Sequence, residues 1–215
     1  MDFKLRLKKY LAGPTTSEGN ELEKLYHEVL HYVIKGSPAP PPHAIKMATI
    51  GLYQQLSGYK IFIETGTLVG ETVESASKLF KACHSIELSD KHHNIARERL
   101  KDKKNVKLHL GSSDKILPGI LQKVTGPAVV WLDAHHSGDD TAGEGMDPLK
   151  AELEALVKHA SKKHIVLIDD ARGLGVTKQE LGKIIRQFGK DYHASVLNDS
   201  VRIVPKNIPL YGAEV

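Results

Sequence analysis

From residue 60 onward the chain alternates short apolar runs with helical segments, and this alternation constrains the fold more than any other feature. The runs are KIFIE (60–64), CHSIE (83–87), NVKLHL (105–110), PAVVWL (127–132) and HIVLID (164–169). Segments of helical period lie near 70–81, 90–101, 114–123, 147–161 and 177–188. A strand–helix–strand unit returns its second strand parallel to the first, and apolar runs without polar alternation belong to strands covered on both faces. The ending differs. YHASVLNDSVRIVPK holds two β-rich runs around Asn198-Asp199-Ser200, and so short a connection forces an antiparallel hairpin. The pattern predicts an α/β fold: a doubly wound, mostly parallel sheet of seven strands that ends in an antiparallel hairpin.

Ahead of this array, residues 18–34 place Leu22, Leu25, Tyr26, Val29, Leu30 and Val33 at helical spacing. KGSPAPPP stops that helix, because proline has no amide donor and biases its predecessor away from helix. HAIKMATIGLYQQLSG then starts a second helix. The expected division is a helical appendage with a proline-rich linker over 1–42 and one domain over 43–215. The extra N-terminal helices would cover a sheet face or an acceptor site, or join two copies into a homodimer.

Composition narrows the class. Cys83 is the only cysteine, which rules out an intrachain disulfide and a thiolate-rich metal site. No stretch reaches the roughly 18 uninterrupted apolar residues of a membrane span, and MDFKLRLKKYLAG lacks the apolar core of a secretory signal, so no membrane partner and a cytoplasmic location are expected. A net charge of +4 and a pI near 9.0 admit nucleic acid, yet the lysines are spread over many helices and only 12 aromatic residues occur. A nucleic-acid partner is therefore not the expectation, and a nucleic-acid-modifying enzyme stays as an alternative.

In doubly wound folds ligands bind beyond the carboxyl ends of the strands. After the first run comes Glu64-Thr65-Gly66-Thr67-Leu68-Val69-Gly70. Gly66 and Gly70 allow close backbone approach, but their spacing is G-x-x-x-G and not the G-x-G-x-x-G of a dinucleotide site. An acid at the entrance would repel a pyrophosphate and favour a ligand with an amino group, which points to S-adenosylmethionine. The alternative is a tight turn with no ligand. Glu87 ends the second run, 23 residues beyond Glu64, where an acid can hold ribose hydroxyls or be a solvated strand end. Ser112, Ser113 and Asp114 follow the third run and either reach an adenine or cap a helix.

The fourth and fifth runs end in VVWLDAHHSGDD and IVLIDDARG. If these strands are neighbours, Asp133, Asp169 and Asp170 converge, which is costly without a cation or a shared proton. An all-oxygen set suits Mg²⁺ or another divalent cation. His136, three residues after Asp133, and its neighbour His135 are rival candidates for a base, and either can instead pack in its loop. Residues 137–147, polar and containing glycine, are expected to form a lid.

FIETGT..GETV, SIELS, WLDAHHSG and LIDDARG together resemble the class I S-adenosylmethionine-dependent methyltransferases, over roughly residues 43–204. The resemblance implies a Rossmann-like methyltransferase fold, with Glu64, Gly66, Thr67, Gly70, Thr72, Glu87, Leu88, Ser113 and Asp133 around the cofactor. The aspartates are similar to those of metal-dependent O-methyltransferases of the catechol and macrocin types, and in the latter a histidine three residues past the metal-binding Asp serves as base. That implies methylation of a hydroxyl on a small molecule such as a sugar or phenol. The chain departs from these patterns at Ser112, where an acid is common, and over DAHHSGDD. A cofactor-binding module without catalysis is the remaining alternative.

Overall fold

A computed structural model describes residues 17–133, 148–173 and 178–214. Two helices come first, α1 (Ser17–Ile34) and α2 (His43–Ser57). The alternating array follows as β1 (Ile61–Thr65), α3 (Glu71–Ala76), β2 (Ala82–Glu87), α4 (Asp90–Arg99), β3 (Val106–Leu110), α5 (Ser113–Lys123), β4 (Ala128–Leu132), α6 (Leu149–Lys158) and β5 (Ile165–Ile168). It closes with α7 (Lys178–Gln187), β6 (Tyr192–Leu197), β7 (Ser200–Pro205) and β8 (Ala213–Glu214).

The strands form one sheet in the order β3-β2-β1-β4-β5-β7-β6-β8. The first five are parallel, and β7 runs antiparallel to both β5 and β6. At the hairpin, Leu197 pairs with Ser200 across a two-residue turn whose Asn198 and Asp199 take φ of 49° and 56°. Asn and Asp tolerate this left-handed pair better than most residues, and its twist matches that of the strands.

Each strand's alternation feeds two separate cores. Val130 and Leu132 of β4 face one side with Ile63, Ile86, Val166 and Ile168, beneath Leu117 and Leu121 of α5 and Leu153 and Leu156 of α6. Val129 and Trp131 face the other with Phe62 and Leu167, beneath Ile50 and Tyr53 of α2 and Val73 of α3. Burial on both faces is the reason the runs read as continuously apolar.

Three local outcomes differ from the sequence expectation. The sheet has an eighth strand, β8, whose Ala213 and Glu214 pair with Val196 and Ser195 at the edge. Gly212 permits this approach, since a Cβ there would stand 2.8 Å from the Val196 carbonyl oxygen. Helix α3 ends at Ala76, where the chain tightens into three-residue bonds from Lys78 and Leu79 back to Ser75 and Ala76. Helix α6 ends at Lys158 and is followed by a short 3-10 turn, Ala160–Lys162. No helix of the described residues is long and apolar enough to cross a membrane.

Candidate functional site

The winding direction reverses between β1 and β4. In open α/β sheets such a reversal is where ligands bind, beyond the carboxyl ends of the strands, so the residues that end β1 and β4 mark the candidate site.

Beyond β1 the chain turns sharply. The amides of Gly66 and Thr67 both donate to the Ile86 carbonyl, and Gly70 donates to Thr67, which ties the turn onto β2. Gly66 and Gly70 take φ of 81° and 83°. At Gly70 a Cβ would also press on Leu100 at 3.1 Å, so glycine serves both backbone and packing there. Glu87 clamps the two strand ends together. One carboxylate oxygen accepts from the Leu68 amide at 2.7 Å and the other from the Ser89 amide at 2.8 Å. A carboxylate has about four acceptor positions, so two are not engaged by these amides. Leu68 and Leu88 are exposed beside this clamp. Thr72, in the first turn of α3, lies 3.5 Å from His43 of α2, and Ser113 is buried at the start of α5.

Glu64 is placed differently from a ligand-facing anion. It sits opposite Ser85 in the parallel register and is 1% exposed. The Ser85 hydroxyl donates to it at 2.5 Å and stands 2.5 Å from the Thr67 hydroxyl, forming a chain of Thr67, Ser85 and Glu64. Burial pushes the Glu64 carboxyl up to about 8, with Asp133 and Glu87 adding to the rise against the Ser85 hydrogen bond. At neutral pH it is a protonated acid inside the wall of the site. Glu64 therefore offers no negative charge to a ligand at neutral pH, contrary to the expectation from its place at the entrance of the turn.

Asp133 follows β4 directly, and its amide donates to the Thr65 carbonyl. Its side chain is 29% exposed. Burial pushes its carboxyl up to about 7, helped by the charge of Asp169 and opposed by Lys46. Asp169 is held after β5 by a bond from its amide to the Leu132 carbonyl, and its side chain is fully buried. Lys46 of α2 bridges the pair: its ammonium donates to Asp169 Oδ2 and lies 3.9 Å from Asp133 Oδ2. Burial works to lower the Lys46 pKa, but the Asp169 hydrogen bond and the charges of Asp133, Asp169 and Asp170 outweigh it and raise the value.

Asp170 does not join this pair. With φ of 48° it turns to Arg172 at 3.0 Å, and Arg172 is in turn held by Asp199 of the hairpin turn through both its guanidinium and its amide. The expected three-aspartate set is thus two carboxylates around an ammonium, with the third carboxylate tied to arginine. As placed, these residues do not fit a divalent metal, and no group of three or more metal-ligating side chains occurs among the described residues. His135, His136 and the expected lid at 137–147 lie outside the described residues.

Sequence reasoning missed Lys46, Ser85 and Arg172. Lys46 carried a usable signal, because it shares a helical face with Thr49, Ile50 and Tyr53, all buried on the sheet. A lysine at the head of an apolar stripe has to find an anion.

No protein-family model matches the chain, and no curated protein matches it. Solved structures do. An O-methyltransferase from Bacillus cereus in complex with S-adenosylhomocysteine superposes with a TM-score of 0.54 at 17% identity, over 94% of this chain and 97% of that one. The O-methyltransferase TomG from Streptomyces achromogenes, in complex with S-adenosylmethionine, gives 0.53 at 16%, over 95% and 99%. The methyltransferase PaMTH1 of Podospora anserina, bound to S-adenosylhomocysteine, gives 0.53 at 16%, over 90% and 97%. The chain has the class I S-adenosylmethionine-dependent methyltransferase fold.

Proposed function

We propose that the protein transfers a methyl group from S-adenosylmethionine to a hydroxyl of a small molecule. The observation that carries this reading is the reversal of strand order between β1 and β4, the place where sheets of this kind bind ligands. The glycine turn and the Glu87 clamp form one wall there, and the Asp133–Asp169 pair stands at the next strand ends. The solved neighbours of this fold that hold S-adenosylmethionine or its product support the same ligand.

In this reading Gly66, Thr67 and Gly70 shape the turn and Glu87 receives the ribose hydroxyls through its remaining acceptor positions. Leu88 offers the purine an apolar surface, with Ser113 at the adenine end and Thr72 beside the turn. Asp133 faces the amino end of the methionine. The acceptor hydroxyl gives its proton to a base, for which His136 is the candidate and His135 its rival. The oxygen lone pair then forms the C–O bond to the methyl carbon. The C–S electron pair returns to sulfur, leaving S-adenosylhomocysteine. Positioning donor and acceptor in line is the main contribution of the protein. No step is routed through Mg²⁺, because the carboxylates meant to hold it are engaged with Lys46 and Arg172.

The test is a calorimetric titration with S-adenosylmethionine and S-adenosylhomocysteine. Saturable one-to-one binding of both is the expected result, and no binding of either would end the methyltransferase reading.

A further inference from the structure

We propose that the Lys46 ammonium is the fixed cation of this site, standing where a divalent metal would bridge Asp133 and Asp169. This inference rests on the methyltransferase reading for its chemistry, though its geometry is independent of it. Asp169 is fully buried, and one of its oxygens already accepts the Asp170 amide. Its other oxygen meets Lys46, the only ion-pair partner it has among the described residues. A buried carboxylate left without a counter-charge or a shared proton is strongly destabilising, and the counter-charge placed on this oxygen is the Lys46 ammonium.

Lys46 is built to be that cation. It lies in the first turn of α2, one helical turn ahead of Ile50 and two ahead of Tyr53, both fully buried against the sheet. That anchoring fixes the root of the side chain over the ends of β4 and β5. The third carboxylate a metal would recruit is drawn off by a second device: Asp170 pairs with Arg172, which the hairpin holds through Asp199. Two cations from different parts of the fold thus satisfy the aspartates separately.

An ammonium has three donors. One is spent on Asp169, and the others are available to Asp133 and to an acceptor oxygen in the site. During transfer Lys46 keeps all its protons. It stabilises the negative charge that builds on the acceptor oxygen as that oxygen's proton leaves for the base and the C–O bond forms. The site therefore needs no bound metal.

The probe is Mn²⁺, a spectroscopic stand-in for Mg²⁺, titrated into the full-length protein and followed by loss of the free-ion electron paramagnetic resonance signal. Wild type is expected to take up no stoichiometric Mn²⁺ at millimolar concentration. K46M frees two carboxylates and is expected to bind one Mn²⁺ at least about ten-fold more tightly, since an opposing charge within contact distance has been removed. K46M/D169N is expected to lose that gain. Stoichiometric Mn²⁺ uptake by wild type as tight as that of K46M would overturn the proposal, and so would a folded K46M that binds none. Circular dichroism and thermal melting establish that each variant is folded, and K46Q replaces K46M if the latter is not. Wild-type protein that fails to bind S-adenosylhomocysteine would remove the methyltransferase reading while the Mn²⁺ titrations still decide the role of Lys46.

Discussion

Replacing Glu64 with Gln separates a buried neutral acid from a ligand-facing anion. Glutamine keeps the size of the side chain and an oxygen to accept from Ser85, and removes the ionisable proton. In the folded chain Glu64 holds its proton up to about pH 8, whereas its ordinary value is 4.5. Between these values the folded state binds a proton that the unfolded state has released. Stability is therefore fully present below about pH 4.5 and falls as pH rises towards 8. At 1.36 kcal/mol per pH unit the loss amounts to roughly 3 kcal/mol at pH 7 and roughly 5 kcal/mol above pH 8, the latter a ceiling because water entry and local relaxation reduce it. Asp133 contributes a trend of the same sign, but it does so in both proteins and largely cancels in the difference. The assay is urea unfolding of wild type and E64Q at pH 5, 7 and 8.5. The two are expected to be close at pH 5, with E64Q the more stable by a growing margin at pH 7 and 8.5. Parallel curves for the two proteins, or a less stable E64Q at pH 8.5, would refute the placement of a protonated acid in the wall of the site.

Further outcomes follow from single contacts. Gly70→Ala is expected to lose about 1–2 kcal/mol, because φ of 83° is left-handed and the added methyl meets Leu100; urea denaturation measures it. Glu87→Ala removes the acceptor for the Leu68 and Ser89 amides, at about 1.5–3 kcal/mol for each bond to a charged group. Binding of S-adenosylhomocysteine by calorimetry is then expected to weaken at least ten-fold relative to wild type, roughly the worth of one such bond. Asp199→Ala releases Arg172 and the chain after β5, so hydrogen exchange at the Arg172 amide is expected to accelerate while that of the β4 amides stays unchanged.

Much of the frame was legible from residue patterns. Strand positions followed from runs such as PAVVWL, whose residues face two cores and so show no polar alternation. The hairpin followed from Asn198-Asp199, because few residues other than glycine tolerate two successive left-handed positions. Element ends were less legible. Helix α3 stops at Ala76 although helix-favouring residues continue, and β8 is two residues long, too short to carry a period.

The sequence by itself determined the order of elements and the placing of Glu87, Asp133 and Asp169 at the carboxyl ends of the parallel strands, because residues at strand ends lie where the strands end. Only the tertiary structure decided what their charges do. Glu64 and Asp133 both follow apolar runs, yet the register sets Glu64 against Ser85 inside the wall and leaves Asp133 at the site. Asp169 and Asp170 are adjacent in the chain, but one left-handed residue sends Asp170 to Arg172 while Asp169 stays with Lys46. Lys46 stands 123 residues from Asp169, and no local pattern records so distant an ion pair; it exists because α2 packs its apolar stripe across β4 and β5.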